Sequence, residues 1–171
     1  LPPPAVSTPP QAAPAPEAPP ATAPSRASGL KTTPIKKLGV SIALPSDWET
    51  EMDADKSGDP LFTASNEDED LVVNVGLLAS DGKLSARKLL NVYIEGIELE
   101  MEGEPEEVDI EGAKTAMAEA SGELDGDPVK ASILVAVAGK KAYLLQVLGA
   151  SKTYKSNQAL IKQIIRSLQV Q

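Results

Sequence analysis

From residue 38 onward the chain alternates apolar and polar side chains. Val40, Ile42 and Leu44 interleave with Ser41 and Ala43, the period-two pattern of a strand with one buried face. Pro45 has no N–H to give a ladder, and Ser46 and Asp47 supply turn chemistry before Trp48. Trp48, the single tryptophan, is expected to fold back over the strand end as an apolar anchor. A short extended segment to Met52, a turn over residues 53–60 and a strand over 61–65 follow. A hairpin tip over 66–70 then leads into a strand over 71–79. The near-continuous apolar run L-V-V-N-V-G-L-L-A predicts that this last strand is buried on both faces, which requires helices.

Two helices are predicted. The first starts at the N-cap Ser85 and runs to about Met101, with Leu89, Tyr93, Ile97 and Met101 at i+4 steps beside Leu90 and Ile94. Its opposite face carries Glu95, Glu98 and Glu102, which oppose the helix dipole at the C-terminal end by about 0.3–1 kcal/mol each. Strands are then expected over 107–120, broken at Gly112, and over 129–138 and 142–150, the last two joined by Gly139-Lys140-Lys141. The closing helix takes Ser156 as N-cap and Leu160, Ile161, Ile164, Ile165 and Leu168 as its buried stripe. The expected fold class is α+β, an antiparallel sheet flanked by helices in an α/β/α sandwich.

Ahead of this domain, composition changes sharply. Of the 15 prolines, 11 fall in the first 34 residues, in a Pro/Ala-rich stretch with too few large apolar side chains to offset chain entropy. Residues 1–35 are therefore expected to be a disordered spacer and residues 36–171 a single domain. About 28 extended residues at ~3.1 Å each reach on the order of 90 Å. The chain begins within this spacer, so an export or anchoring segment is expected to have preceded it. An extended leader before a compact acidic domain fits an exported protein of the bacterial periplasm or cell envelope.

Charge narrows the partners. Residues 1–37 carry a net +3 and the remainder a net −12, for −9 overall. An acidic body repels nucleic acid and anionic lipid headgroups, so neither is expected as a direct partner, and any membrane contact would come only through an N-terminal anchor. With no cysteine and no histidine, thiol nucleophiles, disulfides, thiolate zinc sites and histidine-based triads are excluded.

Three patterns have a chemical interpretation. Asp53-x-Asp55-x-Ser57-Gly58-Asp59 matches the first seven positions of a calcium loop, but position twelve is Ala64 and Pro60 replaces the usual aliphatic residue. Calcium through Asp53, Asp55 and Asp59 is the only cofactor suggested; otherwise none is expected. Ser85-x-x-Lys88 has the spacing of a serine and its lysine base without the accompanying motifs, and capping accounts for Ser85. The run from Glu95 to Glu111 is the densest charge cluster; beside a plain solvated surface, it offers Glu95, Glu98, Glu102 and Glu106 as a docking face for a basic protein partner.

The order of these elements resembles a known superfamily. A strand closing on P-x-x-W (Pro45 to Trp48), a hairpin, a helix after G-K-L-S-A-R-K-L-L, the segment I-E-G-A-K (Ile110 to Lys114) and a hairpin-plus-helix ending are similar to the PsbP-like proteins, over about residues 36–170. That superfamily includes photosystem II extrinsic subunits and the DcrB-like and LpqN-like bacterial proteins. The resemblance implies a non-enzymatic binding or assembly role, often on a lipoprotein tether, with no catalytic residues to carry over. The leading expectation is thus a monomeric, envelope-tethered accessory domain that docks on a protein complex. The alternative is a carrier or chaperone with an apolar cleft lined by Tyr93, Ile97 and Met101. An enzyme using carboxylates alone is a third class, and no pair stands out by spacing.

Overall fold

The computed structural model describes residues 29–171 apart from Glu69, so the Pro/Ala-rich spacer lies outside the described residues. Ten strands and three helices follow in order: β1 (Leu30–Ile35), β2 (Val40–Pro45), β3 (Glu49–Ala54), β4 (Pro60–Ser65), β5 (Leu71–Leu78), α1 (Ala86–Glu95), β6 (Leu99–Glu106), β7 (Lys114–Leu124), β8 (Asp127–Ala138), β9 (Lys141–Ala150), α2 (Ser151–Ser156), α3 (Gln158–Arg166) and β10 (Gln169–Val170). Seven of the strands form one antiparallel sheet in the order β3-β4-β5-β9-β8-β7-β6, and β1-β2-β10 form a second.

The predicted opening strand is β2, with Val40, Ile42 and Leu44 buried and Trp48 packed on the core beyond its end. It is the centre of the small sheet. β1 pairs along its whole length, and β10 pairs with its first residues on the other side. β1 thus lies just ahead of residue 36, the expected start of the domain. β1 has only Ile35 fully buried, so its strand character comes from its partner rather than from its own pattern.

Two apolar cores lie on opposite faces of the large sheet. The first fills the space between that sheet, β2, α2 and α3, with Val73, Leu134, Leu145 and Val147 opposite Ile42 and Ile164. The second lies under α1, where Leu89, Leu90 and Ile94 meet Ala116, Ala118 and Ala120 of β7 and Ile133 and Val135 of β8. The row of alanines lets the helix approach closely. β8 and β9 alternate between the two cores, which is why A-S-I-L-V-A (residues 131–136) is buried at every position.

The structure corrects four expectations. The first helix ends at Glu95, not Met101: Gly96 caps it, and residues 99–106 turn into the edge strand β6. Of the acidic residues that oppose the dipole, Glu95 remains the last helical residue, Glu98 falls in the turn and Glu102 moves onto a strand, where Leu99 and Met101 cover one face by alternation. Residues 107–113 form a loop, so the strand expected from 107 begins at Lys114. The closing helix is two helices broken at Asn157. Ser156 ends the first, its Oγ donating to the Lys152 carbonyl at 3.1 Å, rather than capping the second. Finally, β5 is fully covered on one face only: Leu71, Val73 and Val75 are buried, while Val72 and Asn74 are half-buried.

Candidate functional site

Among the described residues, an extended polar cluster, buried at Tyr154 and Ser132 and reaching the surface at Glu102, lies where α2 packs on β8 and Tyr154 reaches toward β7. Tyr154, at 1% exposure, points its hydroxyl at Ser132, whose Oγ it meets in a short hydrogen bond, and donates to Glu119 Oε1 at 3.2 Å. Register explains the meeting: Glu119 and Ser132 stand opposite each other on β7 and β8, and Glu102 of β6 stands opposite Glu119. Glu102 completes the group by pairing with Lys130 Nζ at 3.0 Å and accepting from the Ser121 hydroxyl at 2.9 Å. The same ammonium sits 6.0 Å from the Tyr154 ring centroid, in cation–π range.

Electrostatics decide what this cluster can do. Burial pushes the Tyr154 hydroxyl up to about 12, and the Glu119 carboxylate adds to the rise while the Ser132 hydrogen bond opposes it. A tyrosine that moves protons near neutral pH needs its pKa lowered. Here it is locked in the protonated form as a donor. The Lys130 hydrogen bond, then that of Ser121, hold the Glu102 carboxyl below its ordinary range, so Glu102 stays the anion of an ion pair. No buried side-chain polar atom among the described residues is left without a hydrogen bond. The cluster is internally satisfied and offers neither an activated nucleophile nor a free base.

The four glutamates expected to form one docking face fall on three successive segments. Glu95 ends α1, Glu98 lies in the turn after it, and Glu102 is committed to Lys130. Glu106 closes β6 beyond a bulge that begins after Glu102. It borders a cleft of about 370 Å³ lined by Glu106, Glu107 and Asp109, by Lys162 and Arg166 of α3, and by Met117 and Ile165. A second open cleft, about 690 Å³, separates the start of α1 from the 107–113 loop and is lined by Lys83, Arg87, Lys114 and Glu107. Tyr93, Ile97 and Met101 line neither cleft; they pack against the second core. Ser85 accepts the Lys88 backbone N–H at 3.2 Å as a helix cap.

The aspartate turn folds as a hairpin rather than a twelve-residue loop. Asp55 Oδ1 accepts the N–H groups of Ser57 and Asp59 at 2.7 and 2.9 Å, and Asp53 Oδ1 accepts that of Ala54 at 2.8 Å. The twelfth position, Ala64, is buried in β4. Among the described residues no three acidic side chains converge as metal ligands. The Tyr154 cluster escaped sequence reasoning because its members come from four elements and share no spacing.

No protein-family model matches the chain, and no curated protein matches it in sequence. Solved structures do match. The solution structure of cyanobacterial PsbP (CyanoP) from Synechocystis sp. PCC 6803 aligns over 84% of this chain and 93% of its own at 18% identity, with a TM-score of 0.58. The crystal structure of PA94 from Pseudomonas aeruginosa aligns over 81% of this chain and 94% of its own at 10% identity, TM-score 0.52. LpqN, described as involved in cell envelope biogenesis of Mycobacterium tuberculosis, aligns over 76% and 82% at 10% identity, TM-score 0.46. Sheet order, two-faced core and alignment with CyanoP along nearly its full length together establish that this chain has the PsbP-like fold.

Proposed function

We propose that this chain is a non-catalytic accessory domain of the cell envelope, which docks on a protein complex through its acidic surface and is carried to it by the Pro/Ala-rich segment. The observation that carries this reading is the closed Tyr154 cluster. The hydroxyls, carboxylates and ammonium around Tyr154 are engaged with one another and hold α2 to the sheet. What the domain offers outward is charge, net −12 after residue 37, which selects basic partners and makes their binding salt-dependent. A Pro/Ala segment of this length is useful where reach matters.

Cross-linking and mass spectrometry on the full-length protein in the cells that make it tests the proposal. One envelope protein should be trapped, with yield falling steeply as salt rises. Recovery of a bound lipid without any protein would replace the accessory role by the carrier role.

A further inference from the structure

The two faces of the large sheet are covered unequally. The small sheet, α2 and α3 lie against the first face; on the second, α1 packs over β6, β7 and β8. Its reach toward the other edge stops at β9, where the Tyr93 hydroxyl donates to Gln146 Oε1 at 2.7 Å. Beyond that bond the second face of β5, β4 and β3 has no helix over it among the described residues.

Register gives the composition of that strip. Glu51, Thr63, Asn74 and Gln146 stand side by side across four strands, and Thr63 Oγ1 donates to Asn74 Oδ1 at 3.1 Å. Glu49, Ser65, Val72 and Leu148 form the neighbouring row. Val72, Leu61 and Leu148 are half-buried, Leu148 packing in part against the core under α1, and they give the strip its apolar side chains. The outer rail, Glu49, Glu51 and Asp53, is exposed, and the three strands contain no lysine or arginine. Three strands at about 4.8 Å spacing make a strip roughly 14 Å wide. One α-helix with its side chains is about 10–12 Å across. The exposed Val92 of α1, next to Tyr93, adds an apolar side chain on the helix that borders the strip.

We infer that this corner between α1 and β3 is the docking site of a single amphipathic helix from a protein partner, apolar toward Val72 and Leu148 and carrying Lys or Arg toward Glu49 and Glu51. The inference rests on the accessory-domain reading and names the partner's chemistry. Charge complementarity selects this occupant. A second copy of this acidic body would meet like charge, and anionic lipid or nucleic acid would be repelled.

The test uses the full chain, 15N-labelled, at low ionic strength. The probe is an amidated Leu/Lys amphipathic peptide of about 14 residues, four helical turns. A Leu/Glu peptide of the same pattern is the control. Amide shifts at Thr63, Val72, Asn74 and Leu148 are expected with the Leu/Lys peptide alone, and the double variant Glu49→Lys/Glu51→Lys should weaken binding about tenfold. Both glutamates are exposed on an edge strand, so the variant keeps its core. Shifts confined to β6 and the 107–111 loop would overturn the corner as the site while leaving the basic-partner reading in place. Equal binding of the Leu/Glu peptide, or no shift with millimolar Leu/Lys peptide, would overturn both.

Discussion

Tyr154 holds its proton more tightly in the folded chain than in the unfolded one, because burial disfavours the phenolate. Its contribution to stability is complete below pH 10, the ordinary tyrosine value, and is lost as pH rises from there through about 12. Tyr154→Phe should therefore flatten the alkaline fall in urea stability and cost about 1 kcal/mol at neutral pH, by removing one partner each from Ser132 and Glu119. An unchanged alkaline slope would move the effect to Tyr93, which burial also raises. Glu102 acts with the opposite sign: its lowered pKa gives stability above the ordinary carboxylate range that is lost on acidification, so Glu102→Gln should blunt the acid limb of the same curve. Backbone approach makes a further residue-scale prediction. A Cβ on Gly149 would meet the Asp70 carbonyl at 2.6 Å and Leu71 Cδ2 at 2.7 Å, so Gly149→Ala should cost about 1–3 kcal/mol by denaturant titration.

At the scale of elements, α1 is charged against its own dipole, with Arg87 and Lys88 in its first turn, Glu95 at its last residue and no acidic residue at its start. Lys88→Glu and Glu95→Lys should each raise stability by about 0.3–1 kcal/mol, read as a higher Tm. The start of this helix was legible, since Ser85 and the i+4 stripe agree. Its end was not: Ile97 and Met101 continue the helical stripe, while Leu99 and Met101 equally satisfy the period-two pattern of β6, and only the unfavourable glutamates tip the balance. Asp125-Gly126, with φ of 54° and 87°, makes the β7–β8 hairpin, and this dipeptide is itself a two-residue turn signal. β1 and β10 had no local signal, because each exists by pairing with β2. β6 also explains much of the acidic run as edge protection: Glu100, Glu102, Glu104, Pro105 and a bulge discourage pairing with another chain. Replacing Glu104 by Val and Pro105 by Thr should increase the scattering mass in light scattering while secondary structure is kept.

For the whole molecule, the α+β class and the β8–β9 hairpin followed from sequence, whereas the burial of β8 and β9 on both faces and the unequal cover of the large sheet did not. The apolar run of β5 reads as two buried faces, yet one helix spans only part of a seven-stranded sheet. Net charge acts at this scale too. Added NaCl should raise Tm by screening self-repulsion in the acidic body. Calcium at matched ionic strength should add nothing to that rise, because Asp55 is engaged by its own turn. An extra calcium-specific increase would restore the aspartate turn as a metal site.

The placement of β1 has a mechanical consequence. The chain that leaves the domain at Leu30 does so from the open end of a hairpin, where Leu30 faces Pro45 and the turn lies at Ile35 and Val40. A pull on the segment ahead of Leu30 loads these hydrogen bonds one pair at a time, as a zipper opens, rather than all together. Six residues would then release roughly 20 Å of chain at ~3.3 Å each. Unzipping stops at Ile35 and Leu38, both buried in the first core. Under tension, the first strand acts as a short extension of the segment ahead of it, and the load then passes to the buried anchors Ile35 and Leu38.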